Sequence, residues 1–359
     1  MKTRSKMSRA YLMAMTWLWV LGLLVVALTF TPAQAQPCGE PRPRAMWIYS
    51  DPDVVGDETA RNELFAFVCN YPTSELFLQV RYNQLPDLSY QTNLRIFLQQ
   101  AHAAGIRVHA LFGENHWALS ENHHRAVARA EAIISFNNES AFADEKFDGL
   151  HLDVEPHLLP AYQQEESANG DSPDPDKWMV RLDILRQFLD MNRTVVEAID
   201  GQMSYGVDIP IRWHPNVNNP RPALANMQYD GSENYPTYHL MDKVKDVTMM
   251  AYTNNGDRII RWTEKAVEYA ASPEVNARVY VGVQTAPPCV TRPPPNQDKC
   301  DRDSPTYHPD QRPPNETLGH LTRSEMEDVL RDIDLVLSGY PSFQGFSYYK
   351  YKTYRDMAE

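Results

Sequence analysis

The sequence predicts a single (β/α)8 barrel, the TIM-barrel plan, on three observations. Eight short apolar runs recur along the chain, and helix-like stretches separate them. Several runs are too continuously apolar for a half-exposed sheet and suit parallel strands buried on both faces. No G-x-G-x-x-G follows an early run, so an open doubly wound sheet, the competing plan, lacks its dinucleotide fingerprint.

The expected strands are Ala45–Ser50, Glu75–Val80, Ile106–Phe112, Phe147–Val154, Ser204–Ile209, Val247–Tyr252, Arg278–Val283 and Gln344–Tyr349. Leu94, Phe97, Leu98 and Ala101 share one helical face between the second and third, and Gly105 is placed to end that helix. Leu182, Leu185, Phe188 and Leu189 mark a further amphipathic helix. Thr322 and Glu325 have capping-box spacing ahead of Met326, Val329, Leu330, Ile333 and Val336, with Gly339 as the stop. Three long connections, His157–Lys177, His214–Val244 and Gln284–Gly319, each follow an expected strand. They therefore belong on the C-terminal face, where barrels of this kind carry their active sites.

The first 35 residues read as a targeting segment. Lys2, Arg4, Lys6 and Arg9 precede an apolar stretch from Tyr11 to Phe30, and Ala33, Gln34 and Ala35 form a small-x-small cleavage pattern. The barrel domain is then expected over 36–359, secreted or periplasmic, with no stable membrane association after cleavage. An uncleaved anchor is the alternative. Loss of the four basic residues takes the net charge from −13 to −17, which excludes nucleic-acid binding through the overall field. Four cysteines in an exported chain suggest disulfides, Cys38 with Cys69 and Cys289 with Cys300. A monomer acting on a carbohydrate is the expectation.

Most of the functional content lies in residues 147–157, FDGLHLDVEPH. On a strand, His151, Asp153 and Glu155 would project to one side, roughly 6–7 Å apart along the row. Paired carboxylates at a strand's C-terminal end suit proton transfer, because one acid can stay protonated beside an ionised neighbour. A satisfied polar network filling the barrel is the bland reading of the same residues. His157 adds a fourth ligand-type side chain, but four alternating positions on a strand span roughly 20 Å, too far to share one ion. No H-E-x-x-H and no C-x-x-C occurs, so neither a metal nor any other cofactor is expected.

This run resembles the signature of family 18 glycoside hydrolases, the chitinase and endo-β-N-acetylglucosaminidase group: D-G-x-D-x-D-x-E at the end of strand four. Asp148, Gly149, Asp153 and Glu155 match, and His151 stands where the family has an aspartate. Met250, Ala251 and Tyr252 resemble the family's M-x-Y-D on strand six, with Thr253 in place of the aspartate. The resemblance implies that Glu155 protonates the glycosidic oxygen and that Asp153 orients the substrate's N-acetyl group, the internal nucleophile. It also implies that Tyr252 holds that group. His151, as a tuner, would hold Asp153 ionised or trap it facing inward. The family's tryptophan on the last strand is absent, and Tyr348 or Tyr349 could replace it as a sugar floor.

Arg81, Glu114 and Asp208 lie at or near other strand ends and could contact sugar hydroxyls or supply a second carboxylate. Trp117, Trp213, Tyr235 and Tyr238 could line a groove or form loop cores. Two alternatives stay open: a catalytically silent glycan-binding barrel, and a two-carboxylate glycosidase acting on sugars without an N-acetyl group. The seventh strand ends in Gln284, which cannot be a nucleophilic carboxylate, and no G-x-S-x-G is present.

Overall fold

The computed structural model describes residues 44–359 except positions 51, 72, 164–174, 212, 216–226 and 294–298, with the backbone alone at 175–178. Residues 1–35, for which a targeting role is expected, and Cys38 lie outside the described residues.

Eight parallel strands close into a barrel in chain order. They are β1 (Arg44–Ile48), β2 (Glu75–Gln79), β3 (Arg107–Phe112), β4 (Gly149–Leu152), β5 (Ser204–Pro210), β6 (Asp246–Met250), β7 (Arg278–Gln284) and β8 (Phe343–Tyr349). Every expected run is a strand, shifted at its ends by one or two residues. β8 pairs with β1 through Arg44–Phe346, Ala45–Ser347 and Met46–Tyr348, which closes the ring.

The outer helices are α1 (Glu58–Asn70), α2 (Leu88–Ala103), α3 (His123–Asn138), α4 (Pro175–Ile199), α5 (Pro236–Met241), α6 (Gly256–Ala270), α7 (Arg323–Leu337) and α8 (Tyr351–Arg355). Leu94, Phe97, Leu98 and Ala101 of α2 are fully buried against the sheet. Burial of a Leu or Phe side chain contributes roughly 1.5–3 kcal/mol each, so this face alone seats the helix. Gly105 takes φ +77° just past α2, a left-handed turn that glycine adopts without penalty. The capping box of Thr322 and Glu325 opens α7 as expected. Its far end differs. Val336 is 41% exposed and Leu337 is buried in its place, because Leu337 is the residue that follows Ile333 by four on the inner face. Gly339 has no left-handed backbone, and the helix ends at Ser338.

The second long connection is not a plain loop. Met227–Tyr229 and Ser232–Asn234 form an antiparallel hairpin, and α5 follows it. Asp230 and Gly231, both with positive φ, make its two-residue turn, so the Asp-Gly pair was the available signal. The third connection carries the Cys289–Cys300 disulfide. Cys69 is also disulfide-bonded. No helix among the described residues is long and apolar enough to cross a membrane.

The barrel interior is packed separately from the sheet–helix layer. Ala45, Trp47, Phe77, Leu111 and Tyr280 form an inner cluster, with Tyr49 and Tyr349 packed on it. At the N-terminal end, Glu75 meets Arg107, lies 3.3 Å from His109 and 3.5 Å from Arg278. Burial alone would raise the Glu75 carboxyl, but His109, Arg107 and Arg278 outweigh it and hold the group at about 2.

Candidate active site

Glu155 and Asp153 stand at the C-terminal mouth, just past β4. The strand itself ends at Leu152, but the Asp153 N–H still donates to Phe112 O at 2.8 Å, so β3 holds the exit of the chain. Gly113 permits this approach, since an added Cβ there would fall on the Asp153 carbonyl. Pro156 then starts a short 3-10 turn, for which Glu155 is the N-terminal flanking residue.

Both acids open into a cleft of about 300 Å³ whose walls include Tyr49, Gln79, Leu111 and Glu114. Tyr49 Oη lies 3.4 Å from Asp153 Oδ2, while Asp153 Oδ1 is buried without a hydrogen-bond partner. Burial pushes the Glu155 carboxyl up to about 7, the Asp208 charge adds to the rise, and Arg312 works against it. Burial also pushes Asp153 well above the usual carboxylate range, with Asp208 and Glu155 adding to the effect and Tyr49 opposing it. The proximity of Glu155 thus adds to the resistance of Asp153 to ionisation. His157 Nε2 lies 3.6 Å from Glu155 Oε1.

Aromatic rings line the β1, β6 and β8 side of the mouth. Tyr349 packs at 5.5 Å from Tyr49, 5.8 Å from Tyr252 and 5.8 Å from Trp47. The Tyr252 hydroxyl is buried and has no hydrogen-bond partner. Tyr348 points the other way, fully buried, with its hydroxyl on Glu327 of α7.

The structure brings Glu155, Asp153, Glu114, Tyr252 and Tyr349 to one mouth and places the other expected residues elsewhere. His151 does not hold Asp153. Its Nε2 lies 2.8 Å from Asp208 Oδ1, and its ring stacks on Phe77 at 3.9 Å. Asp208 is not a sugar contact, because it is 1% exposed and also accepts the Trp47 indole N–H at 2.9 Å. Asp153 resists ionisation, contrary to the ionised partner expected for Glu155. Arg81 does not line the cleft; it pairs with Asp53 at 3.1 Å. Glu114 does line it, half-exposed and bonded to His116 at 3.0 Å. Trp117 and Trp213 are buried loop cores, the first under Arg129 and the second against Phe188. Tyr235 and Tyr238 pack together near Tyr269.

Three contributors escaped sequence reasoning. Trp47 and Tyr49 alternate on β1 and its end, where an inward-facing aromatic row was a readable signal. Arg312 reaches the mouth from the third connection, with its guanidinium 5.9 Å from the Tyr349 ring centroid. Its backbone is clamped to Cys289 and Pro287 beside the disulfide. Nothing local in the sequence marks it. Among the described residues, no three His, Cys, Asp or Glu side chains converge as a metal-ligand set.

No protein-family model matches the chain, and no curated protein matches it in sequence. Among solved structures it is similar to a GH18 chitinase from Pseudoalteromonas aurantia, at 11% identity and TM-score 0.44, over 86% of this chain and 94% of that one. It is similar to an endo-beta-N-acetylglucosaminidase from Cordyceps militaris at 14% identity and TM-score 0.45, over 87% and 82% of the two chains. A beta-glucosidase from Thermotoga maritima aligns at 9% identity and TM-score 0.50, over 88% and 90%. With that last protein the chain shares the (β/α)8 barrel along most of both lengths, a likeness of fold.

Proposed function

We propose that the chain is a glycoside hydrolase that cleaves β-linked N-acetylhexosamine-containing glycans by substrate-assisted catalysis. The observation that carries this reading is the placing of Asp153 and Glu155 together at the end of β4, in a cleft flanked by aromatic rings. Glu155 is the general acid. It gives its proton to the glycosidic oxygen while the acetamido carbonyl oxygen attacks the anomeric carbon and the glycosidic bond breaks. Water then opens the oxazolinium ring and returns a proton to Glu155. Asp153 orients the acetamido group, and the unpartnered Tyr252 hydroxyl donates to its carbonyl oxygen.

The surrounding carboxylates support an internal nucleophile. Asp208 has both oxygens engaged behind the cleft, and Asp153 resists the ionisation that a nucleophile needs. Glu114 supports a second reading, because it lines the same cleft and is exposed enough to activate a water in an inverting mechanism. The disulfides fit an oxidising compartment, in keeping with the export expected from the N-terminal segment.

The test is hydrolysis of aryl glycosides and oligosaccharides, N-acetylated and not, by wild type, Glu155→Gln and Glu114→Gln. The expected result is cleavage of the N-acetylated members alone, lost in Glu155→Gln and kept in Glu114→Gln. Cleavage of sugars lacking the N-acetyl group, lost in both variants, establishes the two-carboxylate reading instead. Glycan binding with no product from any member shows a silent binding barrel.

A further inference from the structure

The third connection holds one guanidinium beside the aromatic side of the mouth. Arg312 is pinned through its backbone. Its N–H donates to Pro287 O at 3.1 Å, and its carbonyl accepts the Cys289 N–H at 2.8 Å, next to the Cys289–Cys300 disulfide. Two residues earlier, Asp310 ties the loop to the end of β8, 2.9 Å from Lys350 Nζ and 3.3 Å from Lys352 Nζ. The guanidinium plane is fixed as well. Nη1 donates to two carbonyls of its own loop, Pro309 O at 3.1 Å and Gln311 O at 2.9 Å. Its Cζ lies 5.9 Å from the Tyr349 ring centroid. Tyr349 packs at 5.5 Å on Tyr49, which lines the cleft with its hydroxyl 3.4 Å from Asp153 Oδ2. Two rings in contact thus join Arg312 to the acids.

The other donors of this side chain are uncommitted. Among the described residues no acceptor reaches Nε or Nη2, no carboxylate pairs with the guanidinium, and neither nitrogen is closed off from solvent. Nε and Nη2 form one edge of a planar, permanently charged group. Their two N–H bonds run nearly parallel, the geometry that takes both oxygens of a carboxylate. Lys350 and Lys352 differ, since both already engage Asp310.

We infer that Arg312 is a substrate-binding residue that selects acidic glycans, its Nε–Nη2 edge taking the carboxylate of a sugar bound on the β7–β8 side of the mouth. This rests on the proposed glycosidase reading and narrows its substrate class. The substrate is an N-acetylhexosamine glycan in which a neighbouring sugar carries a carboxylate, as a uronic acid or as an ether-linked acid. The acids of the cleft stand on another side, Glu114 after β3 and Asp153 and Glu155 after β4. A substrate carboxylate beside Arg312 is therefore kept apart from them. Because loop carbonyls and the pinned backbone already orient the guanidinium, little ordering is left for binding to impose.

Arg312 also opposes the rise that burial imposes on the Glu155 carboxyl, so a rate measurement would mix two effects. The test is therefore a calorimetric binding titration of the whole protein in the Glu155→Gln background. The ligands are chitotetraose, a tetrasaccharide alternating N-acetylhexosamine with uronate, and a tetrasaccharide of N-acetylglucosamine bearing O-lactyl ether carboxylates. With arginine at position 312, one acidic ligand is expected to bind about tenfold or more tighter than chitotetraose, and which one identifies the source of the carboxylate. Arg312→Gln should reduce that preference to about twofold or less. Arg312→Lys keeps the charge without the paired N–H edge and should lose most of the preference, and it carries the test alone if Arg312→Gln fails to fold. Equal binding of all three ligands, or binding of none, overturns the role of Arg312. So does a preference that survives Arg312→Gln or persists in full in Arg312→Lys. A preference lost in these variants, in a protein whose wild type hydrolyses nothing on the panel, supports this role and overturns the proposed function. Hydrolysis of N-acetylated members together with equal binding of all three ligands overturns this role alone, so the two failures are separable.

Discussion

Glu155 combines two properties that a general acid needs, access to the cleft and a carboxyl held up to about 7 by burial and by Asp208. Glu155→Gln keeps the shape but removes the transferable proton. Its kcat is expected to fall about 10²–10⁴-fold, with glycan binding retained in a direct titration. With Glu155 as the proposed general acid, kcat/KM should decline as pH rises through about 7, and a rate profile flat from pH 6 to 9 would contradict the assignment. Tyr252 makes a different prediction. Its hydroxyl is buried without a partner, so Tyr252→Phe removes a desolvated polar atom rather than a hydrogen bond. Melting temperature should hold or rise, while kcat/KM on N-acetylated substrates drops about tenfold or more if that hydroxyl binds the acetamido group. Glu155 and Asp153 were legible as residues because they are two apart on one local run. Asp208 and Trp47 were not, because their meeting spans 161 positions and depends on how the strands register.

At the level of elements, glycines decide where rings can enter the barrel. Gly206 on β5 makes room for the His151 ring, and Gly282 on β7 makes room for Trp47, where an added Cβ would lie 3.1 Å from the indole. Gly206→Ala should cost about 1–3 kcal/mol by overpacking and push His151 off Asp208, measured as a lower midpoint in urea. The third connection is pinned rather than loose. Opening the 11-residue Cys289–Cys300 separation by changing both residues to serine should cost about 2–3 kcal/mol, seen by chemical denaturation under oxidising conditions. Strands were the most readable elements, since a buried parallel strand is a continuous apolar run of limited length. The hairpin at Met227–Asn234 was less readable, because three-residue strands have too few positions to show alternation.

For the whole molecule, the buried Glu75 and the half-buried Glu155, at opposite ends of the barrel, give opposite pH responses. Glu75 is held at about 2, below its ordinary 4.5. Its contribution is fully present above pH 4.5 and is lost as pH falls through about 2. Glu155 is raised to about 7, so its contribution is fully present below its ordinary 4.5 and is lost as pH rises through about 7, when a charge must be buried. Asp153 is raised and acts in the same direction as Glu155. Thermal stability should therefore peak in mildly acidic solution, and Glu155→Gln should flatten the decline between pH 5 and pH 8 by roughly 2–3 kcal/mol. A melting temperature equal at both pH values in wild type would refute the linkage. The barrel and the neighbouring acids Asp153 and Glu155 could be read from the chain alone, because strand burial and two-residue alternation are local properties. Folding alone brings His151 to Asp208, keeps Arg81 off the cleft and carries Arg312 to the mouth. Those contacts join different strands and loops, and closure of the ring, not sequence proximity, sets which side chains share the interior.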